Sequence, residues 1–156
     1  MNAGAATSPN AFLAIFWGGL ACGVLDITQA CVAWGIQNHA RPARIFQSVA
    51  AGLLGRDSFQ GGMKTAILGG FLHFLIAFIW AAIYYVASRK MTILVDRPVL
   101  FGMLYGEFVW LMMSFVVIPL SQTQHGPFTA AAIITGPIGH LFLVGLPIAL
   151  AVRRFS

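Results

Sequence analysis

Four ionisable side chains stand inside long uncharged runs of this sequence: Asp26, His73, Glu107 and His140. A charged group at the centre of a membrane helix costs about 2.5–3.5 kcal/mol on insertion scales, so these residues should face a protein interior and find partners there. Their types suit three kinds of chemistry. A carboxyl beside an imidazole can pass a proton near neutral pH, which makes the layer a proton relay or an ion or small-solute transport element. Alternatively, His73 and His140, on different helices, could ligate haem b from its two faces. With Asp26 and Glu107 they also form a donor set for a transition metal, although no paired-ligand motif such as Glu-x-x-His accompanies them. In the third reading the four form a purely structural polar network that fixes helix register, as in a non-catalytic assembly subunit.

The elements that must position these residues are apolar runs long enough to cross about 30 Å of hydrocarbon as helices. They cover 11–34, 65–86, 99–120 and about 128–152, and each holds one of the four groups. With span centres near 22, 76, 109 and 140, a rise of about 1.5 Å per residue puts all four groups in a slab about 9 Å thick. The fold class expected is all-α: a four-transmembrane-helix bundle forming one membrane domain. Between spans one and two, apolar residues at helical spacing over 42–54 mark a short amphipathic helix. It is too short to cross and should lie at the membrane surface or over the bundle mouth. Pro42 suits its first turn and Gly55 its C-terminal cap.

Composition agrees. Of the 156 residues, 59 % are hydrophobic and only 8 % are charged, against about 25 % charged in a soluble domain. The net charge of +5 would suggest nucleic acid in a soluble chain. Here all nine Lys and Arg lie between or after the apolar runs, where they act as topology signals and lipid-headgroup contacts, so membrane lipids rather than nucleic acid are the expected partners. No nucleophile elbow, Gly-rich phosphate loop or zinc-protease motif is present, which argues against an enzyme.

Several finer expectations follow. Gly19, Cys22, Asp26, Gln29 and Ala33 form one small, polar stripe that should face protein. Gly19/Gly23 and Gly102/Gly106 are each four apart and invite close helix approach, including a homo-oligomer. Cys22 and Cys31 are about half a turn out of phase and read as small buried side chains. Trp80, Tyr84 and Tyr85, followed by Arg89 and Lys90, read as an interfacial aromatic belt with a basic anchor. Pro137 and Pro147 should kink or break the fourth span. His39 and His125 fall in polar connections. Five basic residues (Arg89, Lys90, Arg97, Arg153, Arg154) against four (Arg41, Arg44, Arg56, Lys64) favour cytoplasmic termini. The two halves echo each other, each a hairpin with a carboxylate on its first span and a histidine on its second.

LHFLIAFIWAAIYYV at 72–86, SFVVIPL at 114–120 and GHLFLVGLPIALAVRR at 139–154 resemble the corresponding stretches of the YagU-like proteins, small bacterial inner-membrane proteins of unknown function. The resemblance covers about residues 71–154. His73 and Gly139-His140 fit its pattern, whereas Asp26 and Glu107 are not part of it. It implies four spans, a bacterial inner membrane and cytoplasmic termini, and it brings no activity with it.

Overall fold

The computed structural model describes residues 10–123 and 130–156. The expectations placed on His125 and on the start of the fourth span at 128–129 lie outside them. Among the described residues the chain folds into helices joined by short connections, with no strand. Four helices are long and apolar enough to cross a membrane: Ala11–Asn38 (α1), Gly62–Lys90 (α3), Pro98–Leu120 (α5) and Ile133–Phe155 (α6). Pro42–Leu54 forms α2, and one helical turn, Ile93–Asp96 (α4), occupies the connection before α5.

Local signals fix the helix ends. The Asn10 side chain accepts the Leu13 N–H at 3.1 Å and caps α1. The Asn10 N–H donates to the Phe155 carbonyl at 2.8 Å, which ties the start of the first span to the end of the last. Pro42 starts α2, and Gly55 ends it at φ 62°, a conformation that only glycine adopts without strain. Arg89 and Lys90 sit in the last turn of α3, where cations complement the helix dipole.

The spans pack through small residues. Gly19 and Gly23 on α1 receive the rings of Phe78 and Phe74 from α3, and Gly18 meets Ile148 and Ala81. On α5, Gly102 and Gly106 lie against Gly145 on α6, so closely that a β-carbon on Gly106 would collide with the His140 carbonyl. Both glycine pairs are therefore filled from within the chain, and a second copy would have to use another surface. The core is mostly Ala, Val and Ile, closed at one end by Tyr84. Large apolar side chains such as Phe12, Val32, Ile67, Phe71, Leu104 and Phe115 point outward, as a lipid-facing surface requires.

Two of the long helices are not regular. α5 opens into a wide π-type turn at Met113–Val117, and α6 does so at His140–Gly145. Each turn ends two residues before a proline, Pro119 and Pro147. Proline cannot donate to the carbonyl one turn back, and a π turn makes room for its ring.

α2 closes one mouth of the bundle. The Gln47 amide, 7 % exposed, donates to the Gly62 carbonyl at 2.9 Å at the start of α3. A β-carbon on Gly69 would collide with the Phe46 carbonyl, so α2 lies directly on α3. At its far end the Gly52 carbonyl accepts the Gln122 N–H at 3.0 Å, just past α5.

Tyr84 departs from the expected interfacial belt. It is 1 % exposed and its hydroxyl donates to the Leu94 carbonyl at 3.0 Å. It falls on the stripe Ala77, Ala81, Tyr84, Ser88 that faces the core. Its neighbours Trp80 and Tyr85 are only half-buried. Cys31 is also only half-buried, whereas Cys22 is buried as expected, and both thiols are free.

Candidate functional site

Interhelix contacts bring the four ionisable residues to one depth. His73 on α3 donates from Nε2 to the Gly23 carbonyl of α1 at 2.8 Å. Asp26 is one turn further along α1. Gln29, one turn beyond Asp26, donates to the Thr135 carbonyl of α6 at 3.2 Å and packs its amide against Gly139, the residue before His140. Gly106, the residue before Glu107, lies against the His140 carbonyl. The layer thus passes from α3 through α1 and α6 to α5.

Depth does not make them neighbours. Among the described residues, no three His, Cys, Asp or Glu side chains form a group that could hold a metal ion. The four-ligand set of Asp26, His73, Glu107 and His140 does not converge.

Glu107 explains part of this. On α5, Gly102 and Gly106 face α6, and the Tyr105 hydroxyl donates to the Trp80 carbonyl of α3 at 2.7 Å. Glu107 is about 100° round the helix from Gly106 and about 160° from Tyr105. It therefore points away from α3, on the side opposite the aromatic contact. It is half-buried, and among the described residues it makes no hydrogen bond or ion pair.

Asp26 lies on the interior stripe of α1, between buried Cys22 and the anchored Gln29. It is half-buried, and it too has no hydrogen bond or ion pair among the described residues. The two histidines are held differently. His73 uses Nε2 on α1, and His140 donates from Nδ1 to the Gly136 carbonyl of its own helix at 3.0 Å. In the neutral rings those bonds leave His73 Nδ1 and His140 Nε2 as lone-pair acceptors. Among the described residues the arrangement therefore holds one interior carboxyl and two oriented imidazoles, each with one ring nitrogen that makes no hydrogen bond.

The aromatic residues that close the core were hidden in the sequence. Tyr84 and Tyr105 stack edge to face at 4.8 Å between centroids, in the same core cluster as Cys22. The signal available was the position of Tyr84 on the alanine stripe of α3. On the other side, a groove of 340 Å³ between α1 and α6 reaches the layer at Gln29 and Gly139, lined otherwise by Thr135, Ile138, Phe142 and Leu143. Comparison with protein-family models, with curated proteins and with solved structures finds no match to this chain.

Proposed function

We propose that this multi-pass membrane protein is a proton relay or proton-coupled transport element whose exchanging group is Asp26, with His73 and His140 as the imidazole acceptors at the same depth. One observation carries the reading: Asp26 lies half-buried on the interior stripe near mid-span, next to Cys22, and among the described residues its carboxyl makes no hydrogen bond or ion pair. A polar network serving only to fix register would satisfy its carboxylate, because an unpaired one is costly in hydrocarbon. The oriented histidines fit the same role, since each keeps a nitrogen that can take a proton. The apolar groove at Gln29 offers a lateral approach to the layer. The host membrane in this reading is a bacterial inner membrane, as the YagU-like resemblance implies, with both termini cytoplasmic on the balance of basic residues.

The test is proton flux into liposomes carrying the purified protein, followed with an entrapped pH dye under an imposed gradient. Asp26→Asn should lower the flux at least tenfold. Glu107→Gln should keep most of it, because Glu107 stands on another face. Undiminished flux in Asp26→Asn contradicts the reading.

A further inference from the structure

A second groove lies over the first half of α3 and ends at Phe74, the residue after His73. It has a volume of 640 Å³, within the range of about 300–1,000 Å³ usual for ligand sites, and runs between α2 and α3. Ala43 and Phe46 form one wall; Met63, Ile67, Phe71 and Phe74 form the other. No hydrogen-bonding side chain lines it. Its floor is low because Ala66 and Gly70 carry little or no side chain. This is the shape and chemistry of a seat for a hydrocarbon chain.

Its rim is cationic. Lys64 is exposed and stands three and seven residues before Ile67 and Phe71, on the face of α3 that forms the groove wall. Arg41, also exposed, is the N-cap of α2, two residues before Ala43. Pro42 has no N–H and the Arg44 N–H is taken by the Arg41 carbonyl at 2.8 Å, so what Arg41 offers this rim is its guanidinium. Arg44 is committed elsewhere, with its guanidinium 4.2 Å from the centre of the Phe59 ring. The segment 41–64 holds Arg41, Arg44, Arg56 and Lys64 against Asp57 alone. An apolar trough ending in two cations is complementary to an anionic amphiphile with a long tail.

We propose that the α2–α3 groove is a specific binding site for an anionic glycerophospholipid, with one acyl chain along Gly70 and the phosphate between Lys64 and Arg41. The proposal does not depend on the proton-relay reading, because it uses none of the same side chains.

Native mass spectrometry of the detergent-purified protein tests it, with dioleoyl phosphatidylglycerol and dioleoyl phosphatidylcholine added in equal amounts. The wild-type protein should retain the anionic lipid in clear preference. Lys64→Gln and Arg41→Gln should each reduce that preference about fivefold, the effect of one basic residue near a charged headgroup. Gly70→Leu should fill the trough and lower retention of both lipids. A β-carbon there meets only the edge of the Phe46 ring, at 3.6 Å, so the helix pair can keep its packing. Ala43→Leu provides an independent block from the other wall. Equal retention of the two lipids by the wild-type protein overturns the proposal. So does undiminished retention in both blocking variants, or conversion of a dimer to a monomer by Gly70→Leu without loss of lipid, which would make a second copy the occupant.

Discussion

At the scale of single residues, Asp26 and Glu107 show how one chemical type can meet two surroundings. Both sit near mid-span, but Asp26 shares its stripe with Cys22 and Gln29, whereas Glu107 is turned off the face that Gly102 and Gly106 present to α6. Depth was legible in the sequence, since residue spacing and helical rise set it. Direction was not, because it depends on which neighbour lies on which side. Tyr84 teaches the same lesson. An aromatic residue near a span end reads equally as an interfacial anchor or as a core plug. The choice is made by Pro98: the carbonyl of Leu94 has no N–H four residues on, and the Tyr84 hydroxyl takes that place at 3.0 Å. Tyr84→Phe should strand this carbonyl and cost about 1–3 kcal/mol, measured as a lower unfolding midpoint in detergent. No change in the midpoint would mean that the bond contributes nothing.

At the scale of elements, α2 and the four spans were readable because their apolar patterns are long or regular. The helices run further than the apolar runs, as at Ala11–Asn38 and Gly62–Lys90, since polar residues past the hydrocarbon edge still continue a helix. The π turns were not readable. A π turn adds a residue, so the side-chain face beyond it rotates by about 100°. Pro147 announced an irregularity, but not that it would be a wide turn placed before the proline, Pro137 lies within an unbroken α-helical stretch, and nothing announced the turn before Pro119. The second of these turns begins at His140 and ends at Gly145, whose close contact with Gly106 joins α5 to α6. That contact tolerates no side chain. Gly106→Leu should force the helices apart and destabilise the bundle by about 1–3 kcal/mol, the usual cost of overpacking. Thermal unfolding in detergent would register it, and an unchanged midpoint would show that the two helices are not held this closely.

At the scale of the whole molecule, the bundle combines a tightly packed small-residue core with a polar layer that is only partly satisfied. Hydrogen bonds at this layer run mainly to backbone carbonyls: His73 to Gly23, Gln29 to Thr135, His140 to Gly136. These fasten α3 and α6 to α1 or brace α6 without using either carboxyl. The expectation that carboxylates and histidines would pair with one another came from counting charged groups in hydrocarbon. The backbone, with its close helix contacts at glycine, satisfies the histidines instead. On the proposed reading Asp26 is a group whose placement costs stability and which is retained for activity rather than for folding. The most direct measurement is therefore the unfolding free energy of Asp26→Asn in detergent or bilayer, compared with the wild-type protein. Equal or greater stability is expected, since the variant keeps the shape and removes an unpartnered carboxyl. A loss of more than about 1 kcal/mol, the worth of a typical hydrogen bond, would show that Asp26 is a structural member of the polar layer and would contradict its assignment as the exchanging group.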